Sequence, residues 1–464
     1  MAGLRQREPL QRDLLPPQAV GARVYEPNQY LHNTRDRCPR TVRTLTQSTG
    51  RPIRGRARSP EPADEPASPN MYRAAANLAA YPYFSVIERD RRWETARALM
   101  DRARIDYVIA PPSVGSTSSV GAAARYLSHV GGGAAEVSLL FPRRGEPIAI
   151  ARDAGAWITA QPWCTDLREA APSHSAAMIR ALAELGPSVH RIGVVGLYSD
   201  RRSLGSARFA FVQALASAFP SLELIDVTRE VAQMRRPKSA EEVAFLDRST
   251  HIAHVMAERF ANEIGKDEDD IRIRRAVVET ACGLGSELPV GLRWRDCAMA
   301  GAARESHRGA DPSIHLVQGV FDGAWGGYRA RSRRVIQMRG STASDPAPVA
   351  LLRDLWDSVF AQARPGVTIQ QLDRRARETF ASQHQRVVDS LSAIVSIRGC
   401  GLGEDAPSPD RGMEDPDRRD LALEPGDCIT LTVSIATTAI RAAWADPIVI
   451  TDAGARLLGR GASS

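Results

Sequence analysis

Apolar residues recur at helical spacing over residues 88–104, where Trp93, Ala96, Leu99, Met100 and Ala103 fall on one face. Residues 106–110 follow as a strand. Residues 137–141 and 147–151 alternate around Arg143-Arg144-Gly145 and predict a hairpin. Strands over 192–195 and 222–225, with a helix over 206–219 between them, complete an α/β pattern. A break follows at Arg235-Arg236-Pro237-Lys238. Ser239-Ala240-Glu241-Glu242 then has the form of a capping box and opens a long helix reaching about residue 264.

The second half mixes helices and strands. Helices are predicted over 349–363, stopping at Arg364-Pro365-Gly366-Val367, and over 369–382. Leu423-Glu424-Pro425-Gly426-Asp427 turns into a strand over 428–435, and 448–451 is a last strand closed by Asp452-Ala453-Gly454. Between these lies Gly326-Gly327-Tyr328-Arg329-Ala330-Arg331-Ser332-Arg333-Arg334-Val335-Ile336, a turn feeding a strand. That strand packs four arginines into six residues with no acid. It reads either as an exposed basic edge or as a basic lining for a site.

Residues 1–70 break the pattern. They are rich in Pro and Arg, lack periodic apolar spacing, and cannot bury enough surface to offset their ordering entropy. They are expected to be a disordered tail dispensable for stability, with Met71 an alternative start. This tail changes the meaning of the charge: it carries five of the seven excess positive charges. Only Lys238 and Lys266 are lysines, which points to an arginine-biased composition rather than a polyanion site. No basic helix with interleaved aromatics occurs, so nucleic-acid binding is not expected. No apolar run reaches the roughly 18 residues of a membrane span. Six scattered cysteines without zinc spacing fit reduced thiols in a cytoplasmic protein. His251 and His254 sit three apart on the long helix, but no acid joins them, and packing is the simpler reading.

Several stretches together resemble the prolidase, aminopeptidase P and creatinase superfamily over about residues 81–460. They are Arg125-Tyr126-Leu127-Ser128; Pro237-Lys238-Ser239-Ala240-Glu241-Glu242; Gly327-Tyr328 before a strand; Arg364-Pro365-Gly366-Val367; Gly399-Cys400-Gly401-Leu402-Gly403; Leu423-Glu424-Pro425-Gly426-Asp427; and Ile448-Val449-Ile450-Thr451-Asp452-Ala453-Gly454. The resemblance implies a creatinase-type N-terminal α/β domain over 81–235. A pita-bread α+β domain, internally duplicated, would follow over 239–460. It also implies a homodimer.

The family's peptidases hold two metal ions with two Asp, one His and two Glu. Position by position, the resemblance puts Val320, Arg331, Cys400, Thr432 and Ala445 in those places. None is a carboxylate or an imidazole, so no metal and no cofactor is expected. Asp322, Glu404, Asp405 and Asp446 lie close by in sequence without rebuilding the set. Creatinase keeps the fold and works without metal, using a histidine base on a C–N bond. The matching histidine here is His307, with His315 a weaker rival. Cys400 is a further candidate, either nucleophile or buried inert thiol.

Two functions follow from this. One is metal-independent chemistry on a small, nitrogen-containing, anionic substrate. The other is a non-catalytic pseudo-peptidase that binds a peptide or small anion. Tyr328, Arg331 and Arg333 are the ligand-binding candidates. Arg331 is expected either to grip an anionic ligand or to pair internally with Asp322 or Asp446.

Overall fold

The computed structural model describes residues 84–460, apart from 115–118, 132–134, 158–161, 187–190, 198–205, 265, 267–268, 289, 298–315, 338–346, 384–391, 404, 406, 408–420 and 437–439. The tail assigned to residues 1–70 lies outside the described residues.

The first half builds a mixed six-stranded sheet. Its helices are α1 (Val86–Ala103), α2 (Ser119–Ser128), α3 (His174–Glu184), α4 (Phe209–Ala218) and α5 (Thr228–Met234). Its strands are β1 (Tyr107–Val114), β2 (Glu136–Pro142), β3 (Ile148–Ala151), β4 (Asp166–Glu169), β5 (Arg191–Val194) and β6 (Glu223–Asp226), in the order β4-β3-β2-β1-β5-β6. β1 runs parallel to β5 and antiparallel to β2. Both faces are covered, as the near-continuous apolar strands demand. Ile109, Ile150, Ile192 and Val194 pack with Met178, Leu182 and Leu215 on one side. Val108, Leu139 and Phe141 pack with Trp93 and Met100 on the other.

The second half begins with α6 (Ala240–Glu263). The predicted capping box is present: Ser239 Oγ accepts from the Glu242 amide while the Glu242 carboxylate takes the Ser239 amide. α7 (Asp270–Gly283) folds back on it, and β7 (Gly291–Asp296), β8 (Leu316–Trp325) and β9 (Tyr328–Gln337) follow. The β8–β9 hairpin closes through Gly326 and Gly327, both at positive φ (56° and 83°), the two-glycine turn that matches strand twist. α8 (Ala347–Phe360) and α9 (Ile369–Gln383) precede β10 (Ser392–Gly399), β11 (Cys428–Ala436), β12 (Arg441–Thr451) and β13 (Gly454–Leu457). The sheet order is β10-β11-β12-β9-β8-β7, with β13 on β12.

Among the described residues, the helices of this half lie on one face of the sheet. Phe321 joins Ile252, Met256 and Phe260 of α6. Val395, Ile397, Leu431 and Val433 join Leu355, Trp356 and Leu372 of α8 and α9. Because side chains alternate along a strand, the even positions of β7 and β12 and the odd positions of β8, β10 and β11 face the helices. The other set faces away from them, and that set positions the candidate site.

A buried polar cluster joins the two halves. Arg92 is fully buried under the rings of Phe84 and Tyr126, 4.2 and 4.3 Å away, and donates to Glu88 at 2.6 Å and to the Tyr328 hydroxyl at 3.1 Å. Tyr328 in turn donates to Glu242 at 2.6 Å. Arg125 forks onto Glu287 at 2.7 and 2.9 Å, and its guanidinium occupies the space a Cβ on Gly327 would need. Among the described residues no helix is long and apolar enough to cross a membrane.

Candidate functional site

Strand register brings distant parts of the sequence into one line. Ser396 on β10 lies opposite Thr432 on β11, Thr432 opposite Ala445 on β12, and Ala445 opposite Arg333 on β9. Arg333 lies opposite Val320 on β8, and Val320 opposite Arg293 on β7. Paired residues share a face, so all six lie on the face away from the helices. Three of the five positions matched to metal ligands are in this single row. Arg331 is two residues from Arg333 on the same face. Cys400 follows the end of β10, beside the Arg329–Gly401 bridge.

The chemistry of that face is basic. Arg293, Arg295, Arg329, Arg331, Arg333 and Arg398 all fall on it by alternation, and Asp322 is its one acid at a strand position. Arg331 forks onto Asp322, Nε to Oδ1 at 2.5 Å and Nη2 to Oδ2 at 2.8 Å, with both side chains half-buried. Of the two internal partners expected for Arg331, the one found is Asp322. Half-buried Arg329 has Asp322 and Glu287 as favourable neighbours and Arg125 and Arg331 as repulsive ones. Burial is the main cause that lowers its pKa.

The donor set does not fit two hard divalent ions. Val320 and Ala445 have no donor atom, Arg331 brings a fixed positive charge, and Thr432 offers one neutral hydroxyl. Cys400 is buried, and burial pushes its thiol up to about 11 against the opposing pull of the Thr430 hydroxyl, 3.2 Å from Sγ, and of Lys238. Among the described residues no group of three or more His, Cys, Asp or Glu is arranged to hold a metal ion. Asp405 is engaged elsewhere, with Arg235 at 3.0 Å and Lys238 at 3.2 Å.

The comparisons decide what this sheet is. Residues 310–452 match the model of metallopeptidase family M24. The X-Pro aminopeptidase from Thermotoga maritima superposes with a TM-score of 0.62 at 16% identity, covering 80% of this chain and 98% of that one. The prolidase from Pyrococcus horikoshii gives 0.59 at 16%, again covering 80% and 98%. This is the prolidase-type pita-bread fold. The same pita-bread fold matches the N-terminal domain of the FACT complex subunit SPT16 from chickpea, with a TM-score of 0.57 at 12% identity and coverage of 80% and 95%. No curated protein sequence matches this chain.

On the pita-bread sheet two sequence candidates need correction. Tyr328 is not beside Arg331 and Arg333: it lies on the helix side, fully buried, with its hydroxyl committed to Glu242 and Arg92. Alternation alone separates it from the odd-numbered arginines. Cys400 is a poor nucleophile, because a thiol pushed up to about 11 is almost wholly protonated at neutral pH. His307, His315 and Glu404 lie outside the described residues.

The sequence reading missed a second cluster, on the helix side. Asp446 accepts from His254 Nε2 at 2.9 Å, from Arg334 Nη2 at 2.7 Å and from Trp444 Nε1 at 3.1 Å. Burial would raise the Asp446 pKa, but the His254 hydrogen bond and the Arg334 charge outweigh it and hold it below the usual carboxylate range. Arg334 also donates to the carbonyls of Arg333 and Ala445, the pair that joins β9 to β12. No sequence spacing links these residues, since His254 and Asp446 are 192 positions apart.

Proposed function

We propose that this chain uses the prolidase fold as a metal-independent receptor for a small anionic ligand, the end of a peptide included. The observation that carries this reading is the cross-sheet row. It holds Thr432, Ala445 and Val320 at positions matched to metal ligands of the peptidases, with Arg333 between Ala445 and Val320, and it lies on a face where arginines outnumber the one strand carboxylate. A guanidinium recognises carboxylate and phosphate in a planar, two-point geometry. Arg333 is the central contact. Arg331, tied to Asp322, shapes the wall beside it.

Turnover is the second reading. Its base would be His307, accepting a proton during cleavage of a C–N bond in a substrate held by the same arginines. The basic face favours an anionic substrate for that reaction as well. A catalyst should lose turnover in His307→Ala while still binding its ligand.

The receptor reading is tested by elemental analysis of protein purified in manganese, cobalt and zinc. Well under one ion per chain is expected. Two tightly held ions would return the chain to the metallopeptidases and overturn the proposal.

A further inference from the structure

The Asp446 cluster opens onto a cavity of about 380 Å³ lined by α6, α8, β9 and β12. Ala257 and Ala261 of α6 and Val335 of β9 give it aliphatic walls, and Trp356 of α8 and Trp444 of β12 give it aromatic ones. The donors of these walls are committed. Trp356 Nε1 donates to the Leu431 carbonyl at 3.1 Å, and Trp444 Nε1 to Asp446 at 3.1 Å. Arg334 donates to Asp446 at 2.7 Å and to two backbone carbonyls at 3.0 Å. His254 differs. Asp446 accepts from Arg334, Trp444 and His254 together, so the imidazole proton is on Nε2 and Nδ1 is a lone-pair acceptor. Among the described residues, the hydrogen bond to Asp446 is the one this ring makes. At the exposed rim stand Glu258, Asp357, Arg353 and Arg460, two charges of each sign.

We propose that this cavity is a second ligand site, for an uncharged aromatic molecule that donates one O–H or N–H to His254 Nδ1. A phenol is the simplest member of that class. The cavity has the size and make-up of a small-molecule site: about 300–1,000 Å³, apolar and aromatic walls, and few placed polar groups. The indoles favour a flat aromatic body, which gains edge and face contacts beyond its buried area. A ligand with acceptors alone would set its lone pair against that of Nδ1 and lose its own hydration. The balanced rim selects neither an anion nor a cation. Asp446 fixes the ring and its tautomer, so His254 is the specificity residue and Asp446 a positioning one. The site lies on the helix side of the sheet, and its existence does not depend on the anion-receptor reading.

p-Cresol and p-xylene test this, because they share one shape and differ by a hydroxyl for a methyl. Isothermal titration of the full chain at about pH 8 should show p-cresol binding about tenfold tighter, the worth of one well-placed hydrogen bond. His254→Phe keeps a ring and removes the acceptor. In that variant p-cresol should fall to the p-xylene level while p-xylene keeps its affinity, with a cooperative urea curve showing that the chain still folds. Ala261→Trp fills the cavity from α6 without touching His254 or Asp446, and it should abolish binding of both ligands. It also keeps the test decisive if His254→Phe does not fold. Equal affinities for the two ligands, or full p-cresol affinity in His254→Phe, would overturn the role of Nδ1. Unchanged binding in Ala261→Trp, or no p-cresol binding at all, would overturn the site. Tighter binding of 4-methylbenzoate than of p-cresol would overturn the uncharged class.

Discussion

Asp446 shows how one carboxylate can hold together parts of the chain that no local pattern connects. It receives hydrogen bonds from α6, β9 and β12 while only 6% of its side chain is exposed. Removing its charge leaves Arg334 and His254 facing a neutral amide in a buried place, which costs about 3 kcal/mol. Its pKa is depressed in the folded state, so its stabilisation is fully present above the unfolded carboxylate value of about 3.9 and is lost as pH falls through the lower folded value. Urea unfolding of Asp446→Asn should therefore show a deficit of about 3 kcal/mol at pH 7 that shrinks steadily below about pH 4. A deficit independent of pH across that window would mean the carboxylate is not the source of the effect.

At the scale of elements, α6 comes flush against β8 at Gly323, where the strand has no side chain. A Cβ on Gly323 would run into the carbonyl oxygen of Ser249 and press on the Ala253 amide, both helix backbone atoms that cannot give way. Gly323→Ala is expected to lower stability by about 3 kcal/mol or more, or to yield insoluble chain. Gly283→Ala, in the last turn of α7 with nothing within 4 Å, should be neutral or stabilise by up to about 1 kcal/mol. A comparison of the two melting curves checks both.

The same element scale explains what the sequence made legible. The capping box, α1, the β2–β3 hairpin, α8, α9 and β11 declare themselves through caps and periodicity. β12 does not: only 448–451 stand out, because Ala442, Ala443, Ala445 and Pro447 dilute the apolar signal over the strand Arg441–Thr451. β8 is hidden in the same way by Gly319 and Gly323, which exist to admit neighbours. The arginines of β9 were readable as a basic stripe, but their setting was not. It depends on cross-strand register, which places Ala445 and Val320 on either side of Arg333. Arg293 and Arg398 belong to the site only through that register. The Asp322 partner of Arg331 was readable as one of two options, and register decided it: Asp322 lies directly opposite on β8.

At the scale of the whole molecule, the two halves meet through buried charge: Arg92 with Glu88 and Tyr328, Arg125 with Glu287, Arg236 with Asp427. The resemblance to creatinase-like relatives carries the proposal of a homodimer, in which the first domain of one chain helps cover its partner's site. Multi-angle light scattering at micromolar concentration should give about twice the chain mass of 50.4 kDa, and a monomer would refute it. The guanidinium at the middle of the sheet has a consequence that reaches beyond binding. A metal centre is an equilibrium, filled from outside, and its occupancy follows ion supply, competition and chelation. Arg333 is attached to β9 by a covalent bond made during translation. Its charge cannot dissociate, exchange with another ion or be stripped by a chelator, and it stays protonated throughout the pH range in which proteins fold. Every copy of the chain therefore carries this cation in the same place, at a stoichiometry of one, whatever the ionic composition of its surroundings.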